Sequence, residues 1–418
     1  MKHITNKGNL SMVGSLKFLW LLLLPPLFSL GICIYSYYKN NKYNIPVVYF
    51  VFLLTLIYVY LSPLYDVIST INNVYFVPPT FETIFVTKMS EIIVYFTTTL
   101  LSVQCLNVYH GIFFLTLCLV LLSIRDSSGL SSYSLCVGLC CIALVSLISL
   151  SFSTLSASIC CYAMSKRRGY ISTFLLVLLA FIVHKSSALI ILPSILLYFI
   201  LQKKGKGFCF VSFICMTVCI YTLFHGLDFL VSLISMSGAE SSGFYIDKAE
   251  EYAGNGFWGS GHSRVMALSE TFCVFFQYAL QVCVLLLSYK YFNKINNRLL
   301  LMLFLVNLSF VFGTTGLYVL SERFSISATI VAAVLLLYIS KEVFGFKRMI
   351  YYKICIMFLV FYSMSIYNAS ALLYKKPLIN NVYVANSITN KIFYMPSFML
   401  LNIEDNGFND KIVLKNNL

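Results

Sequence analysis

The sequence predicts an all-α fold: a polytopic helical membrane protein with about 11–13 transmembrane helices and one larger periplasmic loop, all in a single integral membrane domain spanning 1–418. Three observations carry that expectation. Hydrophobic residues make up 60% of the chain, charged residues only 11%, and the mean hydropathy is +0.86, so too few polar groups exist to cover a soluble globule. The apolar residues fall in runs of membrane-crossing length. Four basic clusters punctuate those runs: Lys166/Arg167/Arg168, Lys203/Lys204/Lys206, Lys290/Lys294/Arg298 and Lys341/Lys347/Arg348. Two apolar runs separate each neighbouring pair, so all four face one side, which the positive-inside rule identifies as the cytoplasm.

In chain order the runs are near 18–37, 46–62, 91–107, 109–124, 133–152, 154–165, 170–184, 186–202, 207–223, 267–288, 299–319, 325–340 and 350–373. The first lacks a small-residue cleavage site and is too long for a signal sequence, so it reads as a retained helix. Glu91 and Gln104 make 91–107 amphipathic, while 154–165 is short and rich in Ser and Ala; one of these two is expected to be re-entrant or interfacial. The stretch from Ile171 to Leu201 exceeds any single span and is interrupted by His184, Lys185 and two serines. It predicts a helical hairpin with His184 at the tip.

That sidedness leaves a short outward inventory: His184, a loop over 222–265, a turn at Ser321–Phe324, and a C-terminal tail over 375–418 whose apolar patch Ile392–Leu401 suits a surface-lying helix. Asp66 joins it if Lys39/Lys42 and Arg125 are both cytoplasmic, although Lys2, Lys7 and Lys17 charge the N-terminus and oppose that assignment. The net charge of +14 is concentrated in membrane-flanking clusters, so it reads as topology anchoring and not as a nucleic-acid surface. All fourteen cysteines lie in apolar runs without CxxC spacing, which implies neither a disulfide framework nor a metal site.

Ionisable groups outside the cytoplasmic clusters are the candidates for chemistry, because such groups are costly near a bilayer. Arg264 and Arg323 lie on the side where arginine is disfavoured, each just ahead of an apolar run. A guanidinium there can fork onto a phosphate or diphosphate, or it can simply snorkel at the interface. His184 can orient or deprotonate a hydroxyl, or cap the hairpin through Ser186 or Ser187. In the large loop, Phe244, Tyr245, Tyr252, Phe257 and Trp258 alternate with Asp247, Glu250 and Glu251. Rings beside carboxylates suit a saccharide, and an interfacial aromatic belt has the same composition. The segment G-N-G-F-W-G-S-G lacks the Lys-Ser/Thr of a phosphate loop.

Phe181-Ile-Val-His-Lys-Ser-Ser-Ala-Leu-Ile-Ile-Leu-Pro193 resembles the H-x-S-A-L-I-x-x-P hairpin of EpsG-type polysaccharide polymerases, relatives of the Wzy O-antigen and capsule polymerases. Ser62-Pro-Leu-Tyr-Asp66 is similar to that family's outward Asp, and Glu322-Arg-Phe324 to its late Arg-Phe motif. One departure stands out. Where the family often carries an Arg some 30 to 40 residues before the histidine, this chain has Ser151-Phe-Ser-Thr-Leu-Ser-Ala-Ser158, so either another arginine such as Arg264 replaces that cation or the mechanism is differently distributed.

The resemblance implies an inner-membrane polymerase that joins undecaprenyl-diphosphate-linked oligosaccharide repeat units at the periplasmic face, without a cofactor or metal. His184 and Asp66 would be its catalytic groups, and Arg323, Arg264, Trp258, Tyr252 and Glu250 would bind substrate. The implied partners are the lipid-linked oligosaccharide, the bilayer and a chain-length regulator, with no nucleic acid. A lipid-linked oligosaccharide flippase is the alternative. It is disfavoured by charge-poor apolar runs and the absence of related halves. A multi-pass acyltransferase would want a His near an Arg early in the chain, which His3 does not offer, and a lipopolysaccharide-ligase-like enzyme shares most of the same chemistry.

Overall fold

A computed structural model describes residues 19–39, 49, 51–55, 65–76, 78–79, 89–128, 151–165, 169–184, 187–226, 268–344 and 396–397, and the regular structure among them is all helical. A 3-10 turn at Leu19–Leu23 leads into α1 (Pro26–Lys39), followed by α2 (Tyr65–Phe76), α3 (Met89–Leu101), α4 (Cys105–Ser128) and α5 (Ser151–Ser165). Next come α6 (Tyr170–Val183), α7 (Ser187–Leu201), α8 (Lys206–His225), α9 (Leu268–Lys290), α10 (Arg298–Gly313) and α11 (Tyr318–Phe344). Three stretches among the described residues are long and apolar enough to cross a bilayer: Cys105–Ser127, Lys206–His225 and Arg323–Val343. Parts of α3, α6, α7, α9 and α10 are shorter apolar helices. The chain is a multi-pass helical membrane protein.

Local chemistry sets the boundaries, and several differ from the runs read in the sequence. Pro25 and Pro26 divide the first run into a 3-10 turn and α1, with Pro26 in the first helical position where its missing N–H costs nothing. The run at 91–107 breaks at Ser102, whose φ of 51° ends α3 before α4 begins at Cys105. Asp66 is the second residue of helix α2 and not part of a loop. The run at 299–319 stops at Gly313, Gly316 turns the chain at φ 98°, and α11 starts at Tyr318, so Arg323 lies inside a helix and not in a turn ahead of one. Asn297 caps α10, its side chain accepting the Leu300 N–H at 3.1 Å.

Burial ranks the helices. Nearly every residue of α10 is buried, as are α5 and most of α11, and these three form the centre. Of the two segments of which one is expected to be re-entrant or interfacial, 154–165 falls in α5, which is buried and packs against α4, α6 and α11. By contrast α8 buries only Cys209 and Phe213, and turns Phe208, Val211, Ile214, Val218 and Leu223 outward. A helix that is apolar all round and packed on one side is stable against hydrocarbon and not against water.

The two ends of the bundle differ in character. At one end Asn297 Nδ2 donates to the carbonyls of Met164 and Ser165 at 3.0 and 2.9 Å, the Asn296 N–H donates to the Tyr338 hydroxyl at 3.1 Å, and Lys206 Nζ stands 4.4 Å from the Tyr289 ring centre. The elements flanking all four basic clusters therefore meet at one face. At the other end lie the α6–α7 turn, the end of α8 and the α10–α11 turn. There His225 Nε2 is 2.9 Å from the Thr315 carbonyl oxygen. From the tail, Ser397 donates its N–H to the Leu24 carbonyl at 2.8 Å, ahead of α1.

Candidate functional site

Toward the end opposite the basic clusters a cavity of about 440 Å³ opens between the central helices and the α6–α7 hairpin. That volume is ample for a small polar headgroup or sugar. Three structural choices create it. The serine- and alanine-rich sequence of α5 presents Ser153, Ser156 and Ala157, small enough to leave space between helices. The hairpin turn supplies His184 and Ser187, and α10 and α11 supply Asn307, Arg323 and Ser327. Apolar Ile190, Leu303, Leu320 and Val331 fill out the walls.

His184 is held by its backbone. As the C-cap of α6 it adopts extended dihedrals (φ −154°, ψ 112°), donates its N–H to Ala180 O at 3.0 Å, and accepts the Ser187 N–H at 3.0 Å. Ser156 Oγ donates to the same Ala180 carbonyl at 2.9 Å, which ties α5 to the hairpin just below its tip. The imidazole thus borders the cavity from a fixed mount. Burial, and then the positive charge of Arg323, pull its pKa down to about 4, so the ring is neutral at physiological pH.

Arg323 enters from the fifth residue after the start of α11, on the same helix that is anchored through Ser321 to Tyr278 (hydroxyl oxygens 3.2 Å apart) and through Ser325 and Thr329 to Gln281. Gln281 Nε2 lies 2.9 Å from the Ser325 carbonyl and from both hydroxyls. Phe324 stacks on Phe310 with ring centres 4.7 Å apart, locking α11 to α10 beside the site. At 1.5 Å per residue, Arg323 and Asn307 lie about 8 and 9 Å in from their helix ends, and so at nearly the same depth.

Of the sequence candidates, the fold brings His184 and Arg323 to one cavity. The side chain of Asp66, and the residues Arg264, Trp258, Tyr252 and Glu250 together with loop positions beyond Gly226, lie outside the described residues. Two groups of lining residues escaped the sequence reading. Asn307 was a lone amide in an otherwise apolar run, a signal that membrane energetics makes worth pursuing. Ser153 and Ser156 sit in the very segment that departs from the arginine pattern, and the structure shows what occupies that place: hydroxyls on the cavity wall. Among the described residues no three His, Cys, Asp or Glu side chains converge. The polar groups here are hydroxyl, amide, imidazole and guanidinium, which suit a sugar and a phosphate.

Comparison with protein families decides the affiliation, because the EpsG family profile matches residues 92–380, well over half of the chain. The chain belongs to the EpsG family. EpsG proteins are linked to exopolysaccharide synthesis, and every described helix that lines the cavity, from α5 to α11, lies inside the matched span. No curated protein and no solved structure matches the chain.

Proposed function

We propose that this EpsG-family protein is a polysaccharide polymerase, which joins undecaprenyl-diphosphate-linked oligosaccharide repeat units at the extracytoplasmic face of the cell membrane. The observation that carries the reading is the meeting of His184 and Arg323, from helices far apart in the chain, at one cavity on the side away from the basic clusters.

The reaction asks little covalent work of the protein. The acceptor hydroxyl oxygen attacks the anomeric carbon of the donor sugar, the bond from that carbon to the diphosphate oxygen breaks, and its electron pair leaves with the diphosphate. The proton from the acceptor passes to a neighbouring base. Because diphosphate is a good leaving group, positioning and charge stabilisation supply most of the rate. Arg323 offers the fixed fork of donors for the leaving diphosphate. His184 is neutral before the donor arrives and so presents an acceptor nitrogen to a hydroxyl. A bound diphosphate offsets the charge of Arg323 and raises the basicity of the imidazole, which becomes a better base with the donor in place. Asp66, Arg264 and the aromatic loop carrying Tyr252, Trp258 and Glu250 remain part of the proposal, as groups that complete the site from outside.

The test is the surface glycan of cells carrying Arg323→Ala at normal protein level. A single repeat unit in place of a ladder supports the reading; a wild-type ladder removes Arg323 from the mechanism.

A further inference from the structure

Two polar side chains in the cavity wall are buried with an unused hydrogen-bonding atom. Asn307 is fully buried; its Nδ2 donates to Leu303 O at 2.7 Å within α10, while its Oδ1 has no hydrogen-bond partner among the described residues. Ser187 is 6% exposed, and its Oγ likewise has none, although its backbone N–H is engaged by His184 O. Both residues line the cavity that holds His184 and Arg323. An acceptor left unmet in an apolar setting weakens a fold, and a bound ligand is one partner that completes it.

The neighbouring chemistry narrows the ligand. Among the described lining residues Arg323 is the cation, and Asn307 lines the same space from nearly the same depth on the adjoining helix. With a diphosphate at Arg323, the group placed beside Asn307 is the one bonded to that diphosphate, and it has to carry a donor for Oδ1. A sugar joined through its anomeric carbon satisfies both conditions, since its hydroxyl or acylamino N–H donates and its ring C–H face packs on Leu303 and Val331. On the proposed function, we infer that Asn307 and Ser187 are the specificity-determining grip on the sugar bonded to the donor diphosphate. Asn307 Oδ1 accepts from that sugar, and Ser187 Oγ exchanges a hydrogen bond with it. The two residues and Arg323 then hold opposite sides of the bond that breaks.

Equilibrium binding to the purified full-length protein in detergent tests this with three probes: undecaprenyl diphosphate, the same lipid carrying one glucose, and the same lipid carrying one N-acetylglucosamine. Wild-type protein is expected to bind one or both sugar-bearing lipids about 10-fold tighter than the bare diphosphate, on the scale of a well-made hydrogen bond. Asn307→Leu removes most of that preference, leaves the affinity for bare diphosphate unchanged, and keeps or raises the melting temperature because an unmet polar atom is gone. Ser187→Ala reduces the preference with less change in packing and serves if the leucine variant does not fold. A preference for the acetamido sugar alone identifies the amide N–H as the donor; equal preference identifies a hydroxyl. Retention of the full preference in both variants overturns the inference and leaves the polymerase reading standing, as does equal affinity of wild-type protein for all three lipids. Absence of binding to any of the three overturns both.

Discussion

His225 Nε2 lies 2.9 Å from the carbonyl oxygen of Thr315, and the carbon between its ring nitrogens sits 3.2 Å from where a Cβ on Gly316 would be. The last residue of α8 thus contacts, from the exposed side, the turn that launches α11 and its arginine. Gly316 adopts φ 98°, a conformation that side chains rarely tolerate. Gly316→Ala is expected to destabilise the protein by about 1–2 kcal/mol through backbone strain and contact with the imidazole. Thermal unfolding in detergent checks this, and an unchanged midpoint would show that the turn has room to adjust.

A second close approach holds α8 to α10. A Cβ added to Gly313 would fall 2.5 Å from Ile220 Cγ2 and 2.7 Å from Ile220 Cβ. Gly313→Ala should cost about 1–3 kcal/mol by overpacking. Combining it with Ile220→Ala should recover part of that loss, because the nearest atom, Cγ2, is removed although Cβ stays. A non-additive double-mutant cycle in thermal unfolding is the expected signature.

The low pKa of His184 gives stability a dependence on pH with a definite sign. Between about 4 in the folded protein and the ordinary histidine value of 6.5, the unfolded chain binds the proton more readily than the folded one. Stability therefore falls as pH drops through this window and levels off below about 4. His184→Asn should flatten that part of the profile, measured as the difference in melting temperature between variant and wild type from pH 7 to pH 4.

Gln281 is fully buried, and its amide nitrogen bridges Ser325 and Thr329 across α9 and α11. Gln281→Ala removes that bridge and leaves a void, with an expected loss of about 2–4 kcal/mol. Because Arg323 is carried on the same helix, glycan polymerisation should fall with it. Full activity at reduced stability would show that α11 keeps its register without the bridge.

Reporter fusions test sidedness directly. A fluorescent protein joined after Lys204 should fold and fluoresce in the cytoplasm, while alkaline phosphatase joined after Gly226 should be active outside. The reverse pattern would place His184 and Arg323 on the wrong side for assembling lipid-carried sugars and would end the polymerase proposal.

The helices and their alternation were legible because hydropathy and basic charge are local properties, and the prediction of a hairpin with His184 at its tip followed from the length of the 171–201 run and its polar interruption at His184, Lys185 and two serines. The register of the α10–α11 turn was not legible. Thr314, Thr315 and Gly316 are weak breaks in an apolar context, whereas Ser321, Glu322 and Arg323 look like a turn and yet continue a helix whose other contacts hold it. The cavity was legible in His184 and Arg323, with Ser187 foreseen as a neighbour of the histidine. Its serines and Asn307 acquire meaning from which helices pack side by side, and no spacing within one segment encodes that.

The seam at Asn297 bears on how the molecule works through a cycle. Its amide laces α5 to the start of α10, and the neighbouring Asn296 N–H holds the end of α11, all at the face opposite the cavity. On the polymerase proposal this clasp can stay buttoned while a polymer is lengthened on one side only, and its rigidity keeps donor and acceptor aligned.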